Sequence, residues 1–267
     1  FATSSDWQMA VARRLGYHWT RIHDCSSITH WRTAEPQQGQ WRFFDDETRR
    51  VRDAGLHILG EFLRVPDWAT AAEEGSEAYR VGVGPIRDLG QFERYVETVV
   101  SHYKADIRHW EIWNEPYGSG FWGGTPQQYG EMARAARRAA LRADPTCTLL
   151  GPCIYPFSKD WFEAAREAAA VDPADIFSYH GYGCVTKAPY DIVNAWAVRQ
   201  GRAMRRWNTE TGVTAKTLYR HVPDKLDDGY TRTIGGTEVQ DAVARSVELF
   251  ALAIAGEAER YFYYWTS

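Results

Sequence analysis

Glu115 closes the run Trp110-Glu111-Ile112-Trp113-Asn114-Glu115-Pro116, an apolar strand pattern with an amide just before the acid and a proline just after it. A second glutamate, Glu210, follows another strand pattern and precedes Thr211 and Gly212. Two carboxyl groups at strand ends suit the opening of an acetal: one attacks the carbon while the other protonates the departing oxygen and later activates water. That chemistry needs the two groups about 5 to 5.5 Å apart. Such a spacing can come only from the fold that carries them.

The elements that must position these acids alternate along the chain. Asp6 to Leu15 reads as a helix, with Trp7, Val11 and Leu15 at helical spacing and Gly16 as its stop. Strand His18 to His23 follows, then helix Asp45 to Ala54, strand Leu56 to Phe62, helix Leu89 to Tyr103 and strand Ile107 to Asn114. The order continues with helix Pro126 to Ala143, strand Thr148 to Gly151, helix Asp160 to Ala170 and strand Ile176 to Tyr179. Helix Tyr190 to Arg199, strand Ala203 to Thr209, helix Val239 to Ala255 and strand Arg260 to Trp265 complete it.

Strands alternating with helices predict parallel βαβ units and an α/β fold of the (β/α)8 TIM-barrel type. The pattern opens with a helix and closes with a strand, which predicts that the first strand and last helix of such a barrel lie outside this sequence. A single barrel domain over residues 1–267 is expected, because one such domain commonly takes about 250 residues. An open doubly wound sheet would carry a glycine-rich phosphate turn after a strand, and none is present. The long connections Leu63 to Asp88 and Thr211 to Glu238 leave strand ends, the side on which barrels assemble their sites.

Composition removes several classes. A net charge of −4 gives no electrostatic case for a nucleic-acid partner, and no apolar run is long enough to span a membrane. The eight histidines show neither HExxH nor a paired HxH on an early strand, so no metal is expected. A GxSxG elbow is also missing. Arg134, Arg137, Arg138 and Arg142 recur at helical spacing and read as a solvated outer face. Twelve tryptophans and fifteen tyrosines could stack on sugar rings as well as fill a core. Cys25, Cys147, Cys153 and Cys184 lack the spacing of a stapled domain, although Cys153 and Cys184 both follow strands and leave a bridge or a site-wall thiol open. The chain starts at Phe1 and contains no leader, which leaves a secreted or periplasmic location open.

Asn114-Glu115-Pro116 and Thr209-Glu210-Thr211-Gly212 closely resemble the acid/base and nucleophile motifs of clan A glycoside hydrolases, retaining (β/α)8 enzymes in which these motifs close the fourth and seventh strands. With one strand missing at the start, Glu115 and Glu210 close the fourth and seventh here. Other positions extend the resemblance. Arg21 looks like the arginine that pairs with the nucleophile, and an adjacent cation favours an ionised carboxylate. Ser178-Tyr179-His180-Gly181-Tyr182 resembles the segment ending the sixth strand, which implies that His180 or Tyr182 hydrogen bonds the nucleophile or the substrate. Trp265 resembles the tryptophan flooring the first sugar subsite, and Asn114 the residue that holds the sugar 2-hydroxyl.

Each match has a structural alternative: an ion pair for Arg21, a hydrogen-bonding strut for His180, a core ring for Trp265. Glu35-Pro36-Gln37-Gln38-Gly39 and Pro66-Asp67-Trp68-Ala69 look most like family 39, with family 5 next. His23, Trp31, Trp68 and Trp122 fall on the site side as wall candidates. The resemblance implies hydrolysis of O-glycosidic bonds through a covalent glycosyl-enzyme, on an oligosaccharide, polysaccharide or glycoside, with no metal or organic cofactor. Burial beside Trp113 and repulsion from an ionised Glu210 would favour the protonated acid at Glu115. A carbohydrate-binding barrel without turnover and a transglycosidase are the rival readings.

Overall fold

The computed structural model of the chain describes residues 6–23, 27–117, 120–154, 158–170, 172–181, 204–212 and 258–263, with isolated positions between 195 and 254. Seven strands form one sheet: β1 (Trp19–Arg21), β2 (His57–Phe62), β3 (His109–Ile112), β4 (Thr148–Ile154), β5 (Ile176–His180), β6 (Arg205–Thr211) and β7 (Arg260–Tyr263). They pair in sequence order and every pair is parallel. The sheet curls until its two ends meet, with the Trp19 ring of β1 lying 6.3 Å from that of Phe262 in β7. The result is a nearly closed parallel α/β barrel, as the alternation predicts.

Alternation along the strands fills the barrel in layers. At the end where the strands begin, Trp19 packs edge-on to His109 and Trp207, while His109 stacks on Trp207 at 5.1 Å. Leu59, Leu150, Ile176, Trp207 and Phe262 form an apolar cluster inside. Where the strands end, the inward positions turn polar: Arg21, Glu61 and Glu111 are all buried there. Glu61 and Glu111 face each other in register across β2 and β3.

Helices cover the outside. Among the described residues those with defined bounds are α1 (Asp6–Arg14), α2 (Trp31–Ala34), α3 (Asp45–Asp53), α4 (Glu77–Val81), α5 (Leu89–Tyr103), α6 (Pro126–Ala143) and α7 (Lys159–Ala169). Local chemistry sets their starts. Thr125 and Gln128 form a reciprocal capping box on α6 with Pro126 just inside it, and Ser158 caps α7 through the Trp161 amide. Small residues let α6 and α7 approach closely: a Cβ at Gly130 would come within 2.0 Å of the Ala165 carbonyl oxygen. Arg138 and Arg142 of α6 reach Glu93 of α5, and Arg142 also reaches Glu97, so the exposed arginines of the predicted stripe tie neighbouring helices together.

Several boundaries differ from expectation. β4 continues through Pro152 to Ile154, and β6 runs on to Thr211, because each carries an irregularity that allows pairing to resume. The connection after β2 contains the short helix α4, capped by Ser76 and ended by Gly82 at φ 76°. Helix α2 likewise sits in the connection after β1. The expected helices Tyr190 to Arg199 and Val239 to Ala255 lie mostly outside the described residues.

Candidate active site

The two shifted registers aim the site residues. Between β5 and β6 the pairing steps from Tyr179↔Asn208 to His180↔Glu210, so Thr209 is an extra residue in β6. Strict alternation would turn Glu210 away from the side on which Trp207 packs; one inserted residue reverses that parity and sends its carboxylate into the barrel. Cys153 is the corresponding extra residue in β4, at φ 53°. Trp113 and Glu115 also adopt left-handed backbone, at φ 70° and 39°. Their amides donate to the Phe62 and Cys153 carbonyls at 3.1 and 3.0 Å, which ties the end of β3 to both neighbouring strands.

Arg21 stands at the centre of the polar layer. Its Nε donates to Glu111 at 2.6 Å, Nη1 to Glu210 at 2.8 Å, and Nη2 to Glu61 at 2.9 Å and to Asn114 Oδ1 at 2.6 Å. Burial opposes its charge, but Glu111 and then Glu61 outweigh burial and hold the guanidinium pKa well above its usual value. For Glu61 too, burial works against the charge and Arg21 and His23 overcome it, leaving its pKa well below the carboxylate range. The guanidinium uses all three of its nitrogens here, yet it is one cation among three carboxylates, and the second Glu111 oxygen is buried without a hydrogen bond.

His180 connects the two sequence-predicted acids. Its Nδ1 lies 2.6 Å from Glu115 Oε1, and its Nε2 lies 3.6 Å from Glu210 Oε2 and 3.0 Å from the Cys153 thiol. One ligand-capable atom from each of Glu115, His180 and Glu210 falls within 4.8 Å of the others. His23, His30 and Glu61 form a second such trio beside Arg21. Cys153 and Cys147 are buried free thiols, and burial followed by Glu111 pushes the Cys153 pKa well up.

Glu115, Glu210, Arg21, Asn114 and His180 are thus gathered at one end of the barrel. Tyr182, Trp265, Cys25 and Cys184 lie outside the described residues. Of the wall candidates, Trp31 is instead buried, stacked on Tyr95 at 5.2 Å with its indole N–H bound to Glu35. Trp68 is half-buried and donates to the Glu35 carbonyl, while Trp122 packs edge-on against Trp113. His23 binds Glu61 at 2.9 Å.

Sequence reasoning passed over Glu61, Glu111 and His30, while Cys153 was left open as a site-wall thiol. A signal existed for two of them. Glu61 and Glu111 interrupt apolar strands, and Glu111 shares the parity of Glu115; a carboxylate inside such a strand needs a buried cation to face it.

No protein-family model matches the chain, and no curated protein matches it in sequence. Solved structures do match. A family 39 β-xylosidase from Caulobacter crescentus aligns over 99% of this chain and 59% of its own, at 19% identity and a TM-score of 0.66. A glucosidase from Croceicoccus marinus aligns over 96% and 55%, at 20% identity and 0.63. A family 10 xylanase from Thermobacillus composti aligns over 95% and 79%, at 18% identity and 0.59. The chain spans a little over half the length of the first two. These likenesses show that the chain has the parallel α/β barrel fold found in glycoside hydrolases of families 39 and 10.

Proposed function

We propose that residues 1–267 act as one catalytic barrel domain, a glycoside hydrolase of clan A that cleaves O-glycosidic bonds with retention of configuration. The observation that carries this reading is the approach of a Glu115 and a Glu210 carboxyl oxygen to within 4.8 Å of each other. Retaining enzymes hold their two carboxyl groups about 5 to 5.5 Å apart, whereas inverting enzymes leave about 6.5 to 9.5 Å for a water. Solved structures similar in fold include a β-xylosidase, a glucosidase and a xylanase, which supports an oligosaccharide, polysaccharide or glycoside substrate.

Glu210 is the nucleophile. The charge of Arg21 at 2.8 Å favours its ionised form, leaving it free to attack the anomeric carbon. Glu115 is the acid and then the base. If the Nε2 of His180 carries its hydrogen toward Glu210 and Cys153, Nδ1 presents a lone pair and accepts the carboxyl hydrogen of Glu115. In that tautomer His180 orients the acid by accepting its hydrogen until a glycosidic oxygen takes it. Once the aglycone leaves, the ionised Glu115 faces the same lone pair and draws a proton from water, releasing the sugar. Asn114, whose Oδ1 accepts from Arg21, takes the role of holding the sugar 2-hydroxyl in this reading, and no step requires a metal or organic cofactor.

The two acids are tested by azide rescue on an activated aryl glycoside. Glu115→Ala should still form the glycosyl-enzyme but lack a base, so azide restores turnover and gives a sugar azide of the substrate's own configuration. Glu210→Ala should give the inverted azide, because only one displacement remains. Near wild-type turnover in both variants would overturn the reading, and reversed configurations would exchange the two roles.

A further inference from the structure

We infer that His23, His30 and Glu61 form a binding site for a zinc-class divalent cation, next to the catalytic acids and separate from them. The three come from different parts of the chain: His23 two residues beyond β1, His30 at the start of α2, and Glu61 within β2. All three are buried. His23 Nδ1 lies 2.9 Å from Glu61 Oε2 and His30 Nε2 lies 3.5 Å from the same oxygen, with all three ligand atoms inside 4.8 Å. Tetrahedral zinc bonded at 2.0 to 2.1 Å keeps its ligand atoms about 3.3 Å apart, so the two spacings to Glu61 need only small adjustments and the two imidazoles must close to the same distance. Two imidazole nitrogens and one carboxylate oxygen are a donor set that zinc accepts, with one position left for water.

Independent features point the same way. His30 Nε2 is buried and faces the Glu61 carboxylate across 3.5 Å, a contact too long and poorly angled for a well-formed hydrogen bond. A buried polar atom left without a well-formed hydrogen bond is rare and leaves room for a ligand or an ion between the two groups. The carboxylate is also held from behind: Glu61 Oε1 accepts from Arg21, and Thr29 Oγ1 bonds both the Glu61 carbonyl and its amide at 2.9 and 3.2 Å. Such outer contacts fix the direction of a ligand. The local charge favours a cation as well, since Arg21 is shared by Glu61, Glu111 and Glu210; the charge of Arg64 also reaches His30 and offsets part of that excess. The spacing of His23 and His30, with Glu61 on the next strand, matches no metal motif readable in sequence. Bound there, the ion would clamp the segment after β1 onto β2 and share Glu61 with the arginine that faces Glu210.

The test is direct binding to the whole, chelator-washed protein. Zinc chloride titrated against a chromogenic chelator should show one equivalent per chain, and zinc should raise the melting temperature. His30→Ala and Glu61→Gln should weaken zinc binding by at least about tenfold, while His180→Ala should leave it unchanged. Cobalt added to the unaltered protein should give the intense visible bands of a four- or five-coordinate site, a readout independent of whether a variant folds. Substoichiometric binding, the faint spectrum of six-coordinate cobalt, or loss in His180→Ala with retention in His30→Ala would overturn the proposal. No substrate enters these measurements, so their failure leaves the glycosidase reading intact, and inactive glutamate variants leave this one intact.

Discussion

His109 should make the barrel lose stability between pH 6.5 and about 4. Its ring opens β3 among Trp19 and Trp207, and burial first, then Arg205, His57 and Arg260, lowers its pKa from 6.5 to about 4. Above pH 6.5 neither the folded nor the unfolded chain binds this proton. As the pH falls through 6.5 the unfolded chain takes it up, while the folded chain does so only near pH 4, so unfolding is favoured across that window. Taken at face value the shift would cost ~2 kcal/mol at pH 5. His109 is only half-buried, and screening by solvent reduces that to ~1 kcal/mol. His109→Phe keeps a flat ring in the stack and removes the titration. Urea unfolding of both proteins at pH 7 and pH 5 should show the variant losing about 1 kcal/mol less, with all other titrating groups cancelling in the comparison. Equal losses in the two proteins would refute the reasoning, since they would mean that His109 binds its proton alike in folded and unfolded chains.

Three more outcomes follow from other parts of the molecule. Arg21→Lys cannot reproduce a guanidinium that meets four partners at once, and should cut kcat sharply as well as costing about 2 to 4 kcal/mol in denaturant unfolding. Gly130→Ala drives a methyl into the Ala165 carbonyl and should destabilise the α6 and α7 contact by about 1 to 3 kcal/mol, read as a lower urea midpoint without a direct effect at the acids. Thr125→Ala removes half of the capping box and should cost about 1 kcal/mol in the same measurement.

The barrel was legible because its long helices α5 and α6 announce themselves. Thr125 before Pro126, Asp88 before Leu89 and the buried stripe of α5 are local signals, and the bounds Leu89 to Tyr103 and Pro126 to Ala143 agree residue for residue. Strand ends were less legible. Nothing in the local pattern says that β4 resumes pairing beyond Pro152, or that Thr209 is an inserted residue that turns Glu210 inward; those depend on the neighbouring strand. The same limit applies to the site. Glu115 and Glu210 stand out through their motifs, whereas Glu61 and His30 acquire meaning only when β2 and α2 are brought beside Arg21. His180 was expected at the nucleophile or substrate, yet its shorter contact is to Glu115, because the bulge leaves its two nitrogens facing different acids.

The left-handed backbone at Trp113, Glu115 and Cys153 bears on how this protein can be engineered. Each such residue without glycine's freedom costs about 1 to 3 kcal/mol, and the surrounding strands must supply that energy. Selection for heat resistance alone would therefore favour glycine at Cys153, whose side chain is small, but not at Trp113, where emptying a buried indole site costs about 3 to 5 kcal/mol, more than the strain relieved. Such gains would come at the expense of the fixed aim of Glu115, and they would accumulate as sturdy but slow variants. A hardening campaign that keeps turnover should freeze these three positions and draw its improvements from the outer helices.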